Sequence, residues 1–448
     1  MAAIAGICLP EQNDLVKGML EKLSHRGGEN IEIKDVNGVT IGTNFTKIQS
    51  DSLAVNKKRT VVRDDAEAGH QAQVRVENGG VYLKRDPLGV APLYYGYNAQ
   101  DALCFASEVK ALLGICSDIK QVKPGTEFNG EKTKEYFSLD KKEPLENNPE
   151  TIAKELKQRL ENSVKKRVDM GGKVGSWLSG GLDSSTMAAL AKKYVDNLHT
   201  FAAGTEGAPD IEFARIVADH IGSNHHEVIL DFDSLLELLP EVIYHLESFD
   251  ALLVRSSIMN FAVAKKAGEY SDAVFSGEGG DELFAGYSYL KGLNQDELAD
   301  ELVDITGRLH NTALQRVDRS ASAHGTVAHV GFLDPDVVDY AMQIPVEYKM
   351  YGDIEKWILR RSMDGELPES VLERDKAKFW QGAGVVNKIA EYADMNVTDK
   401  DFEQERQLQN GWVLNSKEEL LYYRYFKEHF GDLEDLSWMG RSKGAPEV

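Results

Sequence analysis

The hydrophobic pattern divides the chain into two unlike parts. Up to about residue 140, apolar positions come in short alternating or β-branched runs: Val39-Thr-Ile41, Val74-Arg-Val76, Val81-Tyr-Leu83 and Leu93-Tyr-Tyr95. Turn residues punctuate them, as in Asn78-Gly-Gly80 and Asp86-Pro-Leu-Gly89. Period-two alternation broken by turns predicts an antiparallel β domain with a few helices. The stretch Lys141-Lys-Glu-Pro-Leu-Glu-Asn-Asn-Pro-Glu150 is polar and carries two prolines, so it reads as a linker holding the domain boundary.

Beyond it the period changes. Ile152, Leu156, Leu160 and Val164 recur at helical spacing. A strand over 174–178, a helix over 184–195, a strand over 199–204, a helix over 211–221 and a strand over 226–230 follow. Strands alternating with helices imply a parallel sheet covered on both faces. From about 283 onward the pattern is mostly helical, notably around 297–315 and 416–430. The expected architecture is α/β. A small α+β domain occupies 1–140, and a parallel-sheet domain with a helical C-terminal part occupies 151–448.

Composition narrows the class. The chain has 448 residues, enough for two or three domains, and is 42% hydrophobic and 28% charged, as soluble globular enzymes are. A net charge of −22 argues against binding nucleic acid through its phosphates. Cys8, Cys104 and Cys116 show neither metal spacing nor a disulfide framework. No signal peptide is visible, and no apolar run approaches the roughly 20 residues that span a bilayer. These features point to a cytoplasmic enzyme with neither membrane nor nucleic-acid partners.

The chemistry concentrates at one turn. The apolar run Val174–Leu178 breaks at Ser179-Gly180-Gly181, and Asp183-Ser184-Ser185 opens a helix with Met187, Leu190, Ala191 and Tyr194 on one face. Two glycines let several backbone N–H groups point into one concavity, and the helix N-terminus and the serine hydroxyls add positive potential and donors. Such a site holds a polyphosphate. Asp183 would repel phosphate unless a divalent cation lies between them, so Mg²⁺ is implied. A second loop, Ser276-Gly-Glu-Gly-Gly-Asp-Glu282, again ends an apolar strand. Neighbouring strand ends in a parallel sheet bring such loops together, so Glu278, Asp281 and Glu282 should converge on the same site.

The string Ser-Gly-Gly-Leu-Asp-Ser resembles the loop of the ATP pyrophosphatase family, which cleaves ATP between its α and β phosphates. It is not a Walker loop, since no Gly-Lys-Ser/Thr follows. Joined to the second loop, it resembles the synthetase domain of glutamine-dependent asparagine synthetases. The likeness runs through His199-Thr-Phe-Ala-Ala-Gly204, Ala208-Pro-Asp210, Gly222-Ser-Asn-His-His-Glu227, Gly331-Phe-Leu-Asp334, Arg374-Asp-Lys-Ala-Lys-Phe379 and Ser416-Lys-Glu-Glu-Leu-Leu-Tyr-Tyr423. The front of the chain, with Met1-Ala-Ala-Ile-Ala-Gly6, Ser24-His-Arg-Gly27 and Arg85-Asp-Pro-Leu-Gly89, resembles the same family's N-terminal-nucleophile glutaminase domain. That domain attacks glutamine with a cysteine directly after the initiator methionine, whose own α-amine is the base. Position 2 here is alanine. Cys8, expected within the first strand, has no free amine, and the family's Asn-Gly-Glu-Ile-Tyr-Asn segment is missing. The resemblance thus implies a degenerate glutaminase domain.

It also implies roles. Leu178, Ala203, Ser276 and Gly277 should frame adenosine. Ser179, Gly180, Gly181, Asp183, Ser184 and Ser185 should hold the phosphates, with Asp183 and Asp281 on Mg²⁺. Lys376 should reach the phosphates and Glu278 should serve the acyl-adenylate and amine steps. Arg255 should pair with a substrate α-carboxylate. Two departures bear on the substrate. Leu252-Leu253 stand where close relatives carry two threonines, and Val327, His329 and Gly331 replace glutamate, arginine and proline, with His329 as a base the sharper alternative to packing. The expected function is an ATP-dependent, AMP-forming amide ligase using a small-molecule carboxylate, aspartate first, and ammonia. A ligase for another carboxylate and a non-catalytic scaffold are its rivals. A homodimer and a separate glutaminase subunit stay open.

Overall fold

The computed structural model describes residues 2–28, 30–45, 53–55, 59–67, 69–77, 79–374 and 388–442, with side chains outside 51–68. The front of the chain forms two six-stranded antiparallel sheets. The first runs in the order Cys116–Gln121, Tyr94–Asn98, Leu103–Ala106, Ala2–Ile7, Val39–Phe45, Ile31–Val36. The second runs Thr133–Glu135, Thr126–Phe128, Gly80–Arg85, His70–Glu77, Arg59–Glu67, Leu53–Val55.

The strand Ala2–Ile7 shows why both faces of the first sheet are apolar. Successive side chains alternate between faces. Ile4 joins Ile41 and Phe105 against Val74, Val76 and Leu83 of the second sheet. Ala3, Ala5 and Ile7 join Val16, Met19 and Leu20 of the helix Asn13–Glu21 on the other face. Cys8 falls just beyond this strand, not within it, where its N–H donates to the Leu103 carbonyl at 2.8 Å.

The segment 136–148 has no regular structure; it starts on the front of the chain, where the Tyr136 N–H donates to the Gly125 carbonyl at 2.9 Å, and ends on the second part, where the Leu145 N–H donates to the Gln343 carbonyl at 2.8 Å. The helix Pro149–Val168 starts where Asn148 accepts the Thr151 N–H and proline takes the first turn. It buries Ile152, Leu156, Leu160 and Val164, the expected stripe.

The parallel sheet has five strands in the order Asn224–Ile229, His199–Gly204, Val174–Trp177, Ala273–Phe275, Val327–His329. Its helices begin slightly earlier than periodicity suggests. Leu182–Lys192 starts directly after Gly181, and Pro209–Ile221 starts at a proline, because first turns are set by caps and prolines rather than by apolar spacing. The remainder is helical, including Ala251–Gly268, Gln295–Gly307, Ala313–Ser322 and Lys417–Phe430. Among the described residues no helix is long and apolar enough to cross a membrane.

Candidate functional site

The central strand Val174–Trp177 and its neighbours His199–Gly204 and Ala273–Phe275 end at one cleft with an empty volume of about 1070 Å³, its open mouth included. Leu178, Ser179, Gly181, Asp183, Ser184, Ala203, Ser276, Gly277, Glu278 and Asp281 all line it. Trp177, Phe201 and Val263 add apolar lining, and Asn260 adds a side-chain amide.

The glycines are there because backbone meets backbone. Gly180 sits at φ 70°, and a Cβ on it would lie 2.4 Å from that of Phe213. A Cβ on Gly277 would lie 2.7 Å from the Ser184 nitrogen, so the two loops touch through their main chains. Ser184 braces the first loop. Its hydroxyl accepts the Ser179 N–H at 3.1 Å and donates to the Gly181 carbonyl at 3.2 Å. Gly180 and Ser185 shape the loop without lining the cleft, and Ser185 is fully buried.

Four cations line the cleft: Arg316, Lys356 and Arg360, which the sequence did not single out, and Arg374, which opens the family-like stretch Arg374–Phe379 but carried no role there. The Lys356 ammonium sits 2.5 Å from both Asp183 Oδ2 and Asp281 Oδ1. Its backbone is left-handed at φ 55°, before the short helix Trp357–Ser362, an uncommon conformation for a residue with a side chain. Arg316 Nη2 donates to Glu278 Oε1 at 2.5 Å. Arg374 Nη2 donates to Asp210 Oδ1 at 2.6 Å, and its guanidinium lies 4.1 Å from the Phe213 ring centre. All four come from segments far from the glycine loops, so only tertiary structure assembles them.

Other expectations are placed differently. Glu282 does not converge on the cleft with Glu278 and Asp281. It is buried and accepts the Tyr287 hydroxyl, and burial and the neighbouring Asp281 carboxylate push its carboxyl up to about 7. Successive residues of the short helix Gly280–Leu283 face different ways, which the acidic run concealed. Arg255 does not line the cleft. Both arms of its guanidinium engage Glu418, which also accepts the Tyr422 hydroxyl at 2.7 Å. Lys376 lies outside the described residues. His329 is buried on the edge strand against the Phe275 ring and does not line the cleft, although its carbonyl accepts the Ser276 N–H at 2.9 Å. Gly331 accommodates Met187, whose sulfur would lie 2.8 Å from an added Cβ, so its exchange is a packing change.

Ala2 is fully buried. Burial and the nearby Cys104 push the Cys8 thiol up to about 12, so at neutral pH it holds its proton and is a poor nucleophile.

The chain matches the Asparagine synthase family over residues 155–305 and 291–445, and the Glutamine amidotransferase domain over residues 74–166. It is 36% identical to asparagine synthetase B [glutamine-hydrolyzing] of Escherichia coli over 79% of this chain and 68% of that protein. It is 35% identical to asparagine synthetase [glutamine-hydrolyzing] 2 of Lotus japonicus over 78% of this chain and 63% of that one, so it spans about two thirds of these relatives' length. Among solved structures, NMN synthetase from Francisella tularensis overlays with a TM-score of 0.31 and 11% identity, over 64% of this chain and 98% of that chain, too distant to bear on function. With the family match running from residue 155 to 445 and relatives at 35–36% identity, the chain belongs to the asparagine synthase family of ATP-dependent carbon–nitrogen ligases.

Proposed function

We propose that the chain joins ammonia to a carboxylate while splitting ATP into AMP and pyrophosphate, with the aspartate side chain as the carboxylate and asparagine as the product. Two glycine loops meeting at one cleft carry this reading, one shaped for phosphates and the other bearing Glu278. The apolar lining from Trp177, Ala203 and Val263 suits the adenosine, and loop 179–184 suits the β and γ phosphates.

A carboxylate oxygen attacks the α-phosphorus and the bond to the bridging oxygen breaks, so pyrophosphate leaves. The ammonia lone pair then attacks the acyl carbon, the bond to AMP breaks, and a proton passes from nitrogen to the Glu278 carboxylate. Arg316, beside Glu278, orients that carboxylate; Lys356, Arg360 and Arg374 offset charge building on the phosphates. Mg²⁺ fits here in part. Asp183 and Asp281 face a common point, now shared with Lys356, and no cluster of three metal-binding side chains occurs among the described residues. Two carboxylates completed by nucleotide phosphates make an ordinary Mg²⁺ donor set, and the ion would screen phosphate charge.

Glutaminase activity is lost in this reading. In the Met-Ala-Ala-Ile-Ala-Gly segment the nucleophile's position is Ala2, and the Cys8 thiol cannot take its place. Nitrogen then enters as free ammonia. A different carboxylate is the second reading, favoured by Leu252-Leu253 and by Arg255 being engaged with Glu418 rather than facing the cleft.

The test is AMP release by the purified protein with MgATP and ammonium across a panel of carboxylates, aspartate first. Aspartate should stimulate release and yield asparagine, and glutamine should give no glutamate. Glu278→Gln should lower product formation by roughly 10²–10⁴-fold while nucleotide affinity holds. Wild-type turnover in that variant would remove Glu278 from the chemistry. Stimulation only by another carboxylate would replace aspartate.

A further inference from the structure

The helix Ala313–Ser322 lies between the cleft and the front of the chain. On one side Arg316 grips Glu278. Asp318, two residues on and so about 200° around the helix, points the other way. There Arg26, from the front of the chain, binds it with two nitrogens, Nη1 at 2.8 Å and Nη2 at 3.0 Å. A bidentate guanidinium–carboxylate pair fixes orientation as well as distance.

This pair belongs to a buried network of three cations and three carboxylates. Arg26 Nη1 also reaches Glu108 at 2.8 Å. Glu108 is paired with Lys110 at 2.5 Å and with Arg319 at 3.3 Å. Arg319 donates to Glu247 at 3.1 Å, and Glu247 accepts the backbone N–H groups of Val109 and Lys110. Arg26 and Glu108 are fully buried, and Arg319 is 2% exposed. Gln315 anchors the same helix by donating to the Leu246 carbonyl at 2.8 Å. Charges buried this deeply tolerate little displacement, because moving one strands its partner in a low dielectric.

We infer that Arg26, though it belongs to the part of the chain with no nucleophile, is a positioning residue for amide formation. Through Asp318 it sets the rotation and height of the helix Ala313–Ser322, and so the contact of Arg316 with Glu278. This rests on the role proposed for Glu278. The N-terminal part then acts as a template for the ligase cleft.

The experiment uses the full chain with MgATP, aspartate and ammonium. Arg26→Gln leaves Asp318 only the Arg319 guanidinium, whose Nη1 donates to Asp318 Oδ2 at 2.9 Å, so the paired variant Arg26→Met/Asp318→Leu is made alongside it to remove one charge of each sign. Either should lower kcat by 10- to 100-fold, the scale of an ångström-sized misplacement, with the dissociation constant for ATP changed less than twofold. Arg26→Lys should restore part of kcat. In a Glu278→Gln background the paired variant should cost less than a further twofold, because the group it positions is already disabled. Full kcat in the paired variant overturns the inference, and so does a loss that multiplies independently with Glu278→Gln. Should Glu278→Gln itself turn over normally, it is the proposed chemistry of the cleft that fails.

Discussion

Replacing Lys356 by methionine removes the ammonium that bridges Asp183 and Asp281 while keeping most of the side chain's length. In the structure one ammonium, 3% exposed, lies 2.5 Å from an oxygen of each carboxylate. A unit pair about 4 Å apart at an effective dielectric near 20 is worth about 4 kcal/mol. The two attractions here are opposed by the cost of drying the ammonium and by the carboxylates' mutual repulsion. Breaking a buried pair by removing one partner typically costs about 3–5 kcal/mol. Methionine would keep the left-handed backbone at position 356, so that strain stays in both proteins and cancels in the comparison. For a unit of a few hundred residues, each kcal/mol moves the melting temperature by about 2–4 °C, so Lys356→Met should lower it by about 6–20 °C. Two carboxylates that have lost this ammonium should draw a cation more strongly, so millimolar Mg²⁺ should recover several degrees in the variant and little in the wild type. Thermal unfolding followed by circular dichroism, with and without Mg²⁺, reads both effects. A shift under 2 °C, or equal Mg²⁺ responses in the two proteins, would refute the account of Lys356 as the counter-charge of this acid pair.

Two further outcomes are expected. The Glu282 carboxyl, pushed from 4.5 to about 7, stays protonated in the fold while the unfolded chain ionises. Stability should therefore fall as pH rises through about 4.5–7 and level off above it, whereas Glu282→Gln should flatten that slope and gain about 2–3 kcal/mol at pH 8 in urea unfolding; parallel curves would show no buried acid there. Gly277→Ala sets a methyl 2.7 Å from the Ser184 nitrogen and must part the two loops, so nucleotide titration should find ATP bound at least ~10-fold more weakly, and unchanged affinity would mean the loops spread freely.

Periodicity was enough to read the framework of the second part. The stripe Ile152, Leu156, Leu160 and Val164 and the strand ends before Ser179 and Ser276 sit as spacing predicts, because each reports a local choice between burying and solvating a face. The cations of the cleft were not legible. Arg316, Lys356 and Arg360 stand in segments whose charges resemble any solvated face, and Arg374 opens a family-like stretch without announcing a role; only the folded chain turns them inward. Glu282 misled for the opposite reason. It follows Asp281 in an acidic run, and a one-residue step on a helix rotates it about 100° away from the cleft toward Tyr287. Arg255 illustrates the same limit, since nothing near it in sequence announces Glu418. In the front of the chain the strands were visible, but not their division between two sheets, which depends on partners distant in sequence.

The two-faced first sheet has a consequence for how such a chain can change over generations. Ile4 belongs to a core closed within the front of the chain, while Ala3, Ala5 and Ile7 belong to a cluster that continues through Val109 and Leu112 to Phe249, Leu314 and Val317. A reactive atom at position 2 could disappear by a single substitution with little mechanical effect, because the backbone there does the holding. Deleting the sheet around it would instead uncover the floor on which the second half is laid. Architecture is thus the last thing this region could discard, and the sheet can be inherited as foundation whatever stands at position 2.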